Sequence, residues 1–168
     1  VLIAEVFLRI DGRYTDQANG EIGGTNKIWT RFPDTTVRRS HPDLDFKVQL
    51  NYDSIGARQS SHNFNEREKI IGVFGDSYTE NRRVKNEFTF TEVLNEISDS
   101  GLFINFGVNG YGLEQSFQHW LDKKDLISMD TVLYVFCAND LRNTYEARIF
   151  DREAMQHGEV VNLVSMSI

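Results

Sequence analysis

The sequence predicts an α/β fold built on a parallel sheet, and three observations carry that reading. Three short apolar runs, Ile70–Phe74, Leu102–Phe106 and Thr131–Cys137, are rich in β-branched and aromatic residues, as strands buried on both faces are. Helical periodicity separates them: Phe90, Val93, Leu94 and Ile97 recur at i, i+3, i+4, i+7, and Leu113, Phe117, Trp120 and Leu121 mark a second helix. The runs end in polar loops, Gly75-Asp-Ser77, Gly107-Val-Asn109 and Ala138-Asn-Asp140. Strand, helix, strand, helix, strand is the order of βαβ units, whose right-handed crossovers put helices on both faces of the sheet.

The chain's 168 residues are one domain's worth of polypeptide, enough to bury a core. A net charge of −7 without a Lys/Arg cluster argues against a nucleic-acid surface. The single cysteine, Cys137, excludes an internal disulfide and leaves the compartment open, extracytoplasmic or cytoplasmic. It ends an apolar strand and reads as a small packing residue.

Residues 1–69 read as an N-terminal helix followed by an irregular and β lead-in, and residues 70–168 as the α/β domain. Val1 to Ile10 is strongly apolar but far short of the roughly 20 residues that cross a bilayer. Glu5 and Arg9 would pair at i, i+4 on a helix. Two readings stand open: a helix packed on the domain, or the end of a signal-anchor helix that tethers the protein to a membrane. The chain starts at valine and not methionine, which points to a natural start further upstream. Gly12, Gly20, Gly23, Gly24, Pro33 and Pro42 punctuate the lead-in. Phe46 to Tyr52 alternates as a half-buried strand does, and Asp53 to Gly56 reads as a turn. His41, Asp43 and Asp45 read as a solvated turn in preference to a metal site.

Further along, Thr89-Phe-Thr-Glu92 is a capping-box candidate and Gly101 a helix stop. A weaker helical stretch is expected over about 143–156, and Val160 to Val164 as the start of a fourth strand.

Ligands of open parallel sheets bind beyond the carboxyl ends of the strands. Gly75 permits a sharp exit there, and Asp76 and Ser77 sit where the chain turns towards a helix. Ser77 is the candidate nucleophile; its plainer reading is an N-cap. Acyl transfer through serine needs a nucleophile, donors for the tetrahedral oxyanion and a base. The N–H of Ser77, the N–H of Gly107 and the side-chain amide of Asn139 are expected to supply the donors. Glycine lets backbone approach a ligand, and an asparagine amide donates without titrating.

Gly75-Asp-Ser-Tyr78, Asn105-Phe-Gly-Val-Asn-Gly110 and Asn139-Asp140 resemble, in order and spacing, the first three sequence blocks of the SGNH, or GDSL-type, hydrolases. Leu50 to Arg58 also resembles an Asn-x-x-Gly-x-Arg segment common just upstream in envelope-associated members. The resemblance covers roughly residues 46–145. It implies a flavodoxin-like three-layer α/β/α fold, with Ser77 as nucleophile and Gly107 and Asn139 as oxyanion donors. The activity implied is that of a serine-type ester hydrolase, an acyl or acetyl esterase acting on a small-molecule or glycan ester, a carbohydrate or lipid ester among them, with no metal or organic cofactor. An O-acyltransferase on the same fold is the alternative.

Two positions depart from the pattern. Cys137 stands where the third block usually has glycine. The family's base lies in an Asp-x-x-His block, and none of His41, His62, His119 and His157 has aspartate three residues before it. His119, beside Trp120, reads as structural, and His157 is a weak candidate base. The chain is therefore expected to stop before that block, leaving the fold incomplete at its C-terminus. A non-catalytic SGNH-like module binding glycans or a partner stays open for the same reason. A nucleotide- or flavin-binding domain fits less well, because Gly107 to Gly112 lacks the G-x-G-x-x-G spacing. Tyr78, Tyr111 and Tyr145 read either as sugar-stacking residues or as ordinary core and rim.

Overall fold

A computed structural model describes residues 20–22, 29–41, 46–62 and 69–145. The apolar start of the chain, Asp43 and Asp45, His157, the expected strand at 160–164 and the helical stretch beyond residue 145 lie outside the described residues.

The elements run β1 (Gly20–Ile22), β2 (Trp29–Arg31), β3 (Thr36–His41), β4 (Phe46–Asn51), β5 (Ile70–Gly75), α1 (Ser77–Glu80), a 3-10 turn at Asn86–Phe88, α2 (Phe90–Ile97), β6 (Leu102–Asn105), α3 (Leu113–Lys123) and β7 (Thr131–Val135). Residues 140–145 are helical as well. The architecture is mixed α/β around a three-stranded sheet of order β6-β5-β7. Both pairings are parallel, Ile71 facing Phe103 on one side and Thr131 on the other. β5, the strand that leads to Ser77, is therefore central. Its six residues are almost wholly buried, as its continuous apolar run requires.

Alternation along the strands sends side chains to two clusters. Ile71, Val73 and Phe103 pack with Phe90 and Leu94 of α2. Phe74, Leu102, Ile104 and Phe106 pack with Trp120 of α3, with Met129 and with Ala57 and Ile55 of the lead-in. The lead-in is thus joined to the sheet. Arg58 N–H donates to the Asn105 carbonyl at 2.9 Å, and Lys123 Nζ to the Ile55 carbonyl at 2.6 Å. The strand expected at 46–52 is present as β4. Its antiparallel partner β3 lies in a stretch without strand-like alternation, and Val37, Val48, Leu50 and Tyr52 form a small core between them.

Helix α2 departs from its predicted pattern. Phe90 and Leu94 pack inward, but Val93 and Ile97 are 43% and 75% exposed, and the fully buried residues are Thr91, Glu92 and Asn95. Asn95 accounts for this: its amide donates to the Phe103 carbonyl at 3.0 Å and its oxygen accepts from Phe103 N–H at 2.7 Å. A side chain thereby satisfies backbone groups of β6 that would otherwise be buried unpaired. The capping box is half formed. Thr89 Oγ1 accepts from Glu92 N–H at 3.3 Å, while the Glu92 carboxylate is drawn away by the Ser60 hydroxyl and by Ser61 N–H and Oγ, at 3.0 and 2.6 Å.

No helix among the described residues is long and apolar enough to cross a membrane.

Candidate active site

The turn from β5 into α1 is set by sterics and by one carboxylate. A Cβ on Gly75 would stand 2.2 Å from Thr79 Oγ1 and 2.8 Å from the Val135 carbonyl, so only glycine fits between α1 and β7. Asp76, buried, is the N-cap: its Oδ1 accepts from Tyr78 N–H at 2.9 Å. The N-cap reading of Ser77 is thereby overturned. Ser77 is the first helical residue, and neither its hydroxyl nor its N–H makes a hydrogen bond among the described residues.

The 105–112 loop is laid directly on α1. A Cβ on Gly107 would lie 2.3 Å from Glu80 N, which makes glycine obligatory there. Its N–H, however, donates to Asn105 Oδ1 at 3.0 Å. The donor expected to face an oxyanion is thus engaged inside the protein, and the glycine is required by packing. Val108 N–H donates to the Gly75 carbonyl at 3.0 Å, Asn109 N–H to Glu80 Oε2 at 3.1 Å, Tyr111 N–H to the Val108 carbonyl at 3.2 Å and Gly112 N–H to Gln115 Oε1 at 3.0 Å. Gly110, exposed at the loop tip, is the one member of 107–112 whose N–H has no partner among the described residues. Sequence reasoning passes it over, although it belongs to the quoted Asn-Phe-Gly-Val-Asn-Gly run.

The third loop joins the first through Asn139, whose Nδ2 donates to Asp76 Oδ2 at 2.7 Å. A primary amide has two N–H groups, so the second is left over. Asp140 is buried and fixes the loop from beneath, its Oδ2 accepting from Tyr134 O–H at 2.5 Å and Cys137 N–H at 2.8 Å. Burial and then Asp140 push the Tyr134 hydroxyl well above the usual phenol range, which keeps it a donor. Asn143 Nδ2 and Thr144 Oγ1 tie residues 140–145 back to Tyr111 and Leu113. All three strand-end loops therefore meet at one edge, as a parallel sheet dictates.

The two histidines whose side chains are described, His62 and His119, fall elsewhere. His119 is buried against the rings of Phe74, Phe106 and Tyr111, with both ring nitrogens unpartnered among the described residues, and burial followed by Lys123 lowers its pKa to about 3. It is a neutral core residue, as its place beside Trp120 suggested. His62 belongs to the Ser61–Glu92 cluster. Neither hydrogen-bonds Ser77. No group of three His, Cys, Asp or Glu able to hold a metal occurs among the described residues. Tyr111 is core, while Tyr78 and Tyr145 are 70% and 66% exposed on the rim.

Sequence reasoning misses a buried polar knot beside the site. Glu80 Oε1 accepts from Arg31 Nε at 2.7 Å and Tyr52 O–H at 2.6 Å, with Arg31 Nη2 at 2.6 Å. Burial alone would lower the Arg31 pKa, but Glu80, together with Tyr52, outweighs this and raises it overall. Burial and Glu80 together push Tyr52 far above the usual phenol range. Nothing in the polar run Asp76-Ser-Tyr-Thr-Glu-Asn-Arg-Arg83 marks Glu80 for burial, so the sequence carries no signal for it.

No protein-family model matches the chain, and no curated protein compared with it is significantly similar.

Proposed function

We propose that the chain carries the nucleophile and oxyanion donors of a serine-type ester hydrolase of the SGNH kind, on a flavodoxin-like three-layer α/β/α fold. The observation that carries the reading is the Asn139–Asp76 hydrogen bond, which sets an amide donor one residue from Ser77, whose hydroxyl makes no hydrogen bond among the described residues. Ser77 Oγ attacks the acyl carbonyl carbon and its proton passes to a base. The tetrahedral oxyanion accepts from Ser77 N–H, the second N–H of Asn139 and, with Gly107 engaged to Asn105, the N–H of Gly110. Collapse expels the alcohol and leaves an acyl-Ser77 ester, which water, or an acceptor hydroxyl in an acyltransferase, then releases. The substrate is a small-molecule or glycan ester, and the exposed Tyr78 and Tyr145 offer faces for stacking on it. None of the described residues serves as the base.

A second reading, a non-catalytic module of the same fold, draws on the absence of any described histidine at Ser77. Labelling with a fluorophosphonate probe and hydrolysis of p-nitrophenyl acetate, in the wild type and in Ser77→Ala, separate the two. Labelling lost in Ser77→Ala supports the enzyme; an unlabelled wild type, in a chain extended beyond Ile168, removes it.

A further inference from the structure

We infer that Glu80 is a positioning residue that sets the 107–110 loop, and that Arg31 and Tyr52 reach across from the lead-in to hold Glu80 in place. The two carboxylate oxygens divide the work. Oε1 takes Arg31 Nε and Tyr52 O–H, at 2.7 and 2.6 Å, and Oε2 takes Asn109 N–H at 3.1 Å. The side chain is fully buried, where an ionised carboxylate is tolerated only with its lone pairs satisfied. An apolar residue would fill the same space without that demand, so the carboxylate is explained by what it holds.

What it holds is the residue before Gly110. Val108 is fixed to the Gly75 carbonyl and Gly107 rests on the backbone of Thr79 and Glu80. Asn109 is then the last point at which the loop is anchored before the exposed Gly110, and Arg82 Nη1 grips its Oδ1 at 2.7 Å. On the lead-in side, the guanidinium groups of Arg31 and Arg58 both lie over the Tyr52 ring, at 5.6 and 5.9 Å. Arg58 is pinned in turn by its Nη2 bond to the Val84 carbonyl at 2.9 Å. Two cations over one ring fix where its hydroxyl points. The lead-in is in this view part of the site's framework. The chemical meaning of the inference rests on the reading of Ser77 as a nucleophile; its mechanical content does not.

The test compares the wild type with Tyr52→Phe, which removes only the hydroxyl, and Arg31→Lys, which keeps the charge but loses the guanidinium fork. Amide hydrogen exchange is followed by NMR at Val108 and Asn109 and, as controls, at Val73 and Ile104 in the sheet. Labelling of Ser77 by a fluorophosphonate probe is timed in the same samples. Exchange at Val108 and Asn109 is expected to quicken about tenfold or more with the controls unchanged, that being the effect of losing one hydrogen bond to a charged group. Labelling should slow in Tyr52→Phe in step with exchange. Unchanged exchange at Asn109, or a rise shared equally by Val73 and Ile104, overturns the inference, because the knot would then support the fold in general. A wild type that resists labelling even in a chain extended beyond Ile168, while Asn109 still responds, removes the hydrolase reading and leaves this one standing. Should Arg31→Lys fail to fold, Tyr52→Phe decides alone.

Discussion

Asn139 donates to Asp76 across 63 residues of sequence, at 2.7 Å, and this bond closes the site. β5 and β7 are parallel neighbours with Gly75 opposite Val135, so their following loops leave the sheet side by side and two polar side chains suffice to lock them. On the proposed hydrolase reading, Asn139→Ala is expected to lower the rate of Ser77 acylation about 100- to 1,000-fold, the usual effect of removing one oxyanion donor. Stopped-flow release of p-nitrophenol is the measurement. A loss under threefold would mean that the amide serves only Asp76.

Gly107→Ala tests packing. Its new methyl would meet Glu80 N at 2.3 Å and the Thr79 carbonyl carbon at 2.6 Å, both backbone atoms that cannot swing aside. Urea denaturation is expected to show a loss of about 1–3 kcal/mol, the range for overfilled sites.

His119 gives the fold a pH signature. Its folded pKa, about 3, lies below the ordinary value of 6.5. Between those limits the unfolded chain binds a proton that the folded chain refuses. Stability therefore rises with pH through that window, by up to about 1.4 kcal/mol per pH unit from this group. His119→Phe, which keeps an aromatic ring among Phe74, Phe106 and Tyr111, should flatten the slope and stabilise the protein most near its acid end. Urea midpoints of both proteins across the window check it.

Glu92 works at lower pH. Burial would raise its pKa, but the Ser60 and Ser61 hydroxyls, the Ser61 N–H and Asn95 together hold it below the ordinary 4.5. A depressed carboxylate adds stability that is present above its ordinary pKa and is lost as pH falls through the folded value. Glu92→Gln should be less stable at neutral pH and show a shallower decline below about pH 4.5. Parallel acid titrations followed by circular dichroism distinguish the two.

What the sequence displayed was local. β5, β6 and β7 are apolar runs whose places follow from composition, but β7 is partly exposed where the sequence predicts burial on both faces. Helix α3 buries Gln115, Ser116, His119 and Lys123 in place of the stripe at Leu113, Phe117, Trp120 and Leu121. Non-local partners decided the rest. β3 carries Arg38, Arg39 and His41 and has no strand-like pattern until β4 lies beside it. The buried face of α2 is polar because Asn95 completes β6, and nothing within the helix foretells that. Gly107 shows a subtler difficulty. A glycine that lets a ligand approach and one that lets a helix approach are the same letter, and only the 2.3 Å that would separate Glu80 N from an added methyl tells them apart. Arg31 was invisible for the plainest reason: an arginine becomes a credible interior residue only once its carboxylate partner is known.

The Arg31–Glu80 pair also imposes an order of assembly. Arg31 is synthesised before Glu80, and burying its guanidinium before Glu80 exists would strand an unpaired charge in the interior. The 49 positions separating the two residues take roughly 2–10 seconds to synthesise at about 5–20 residues per second. Over that interval the Arg31 guanidinium is favoured in water, where its charge is solvated. Pairing of Arg31 thus waits until the chain as far as Glu80 has been made.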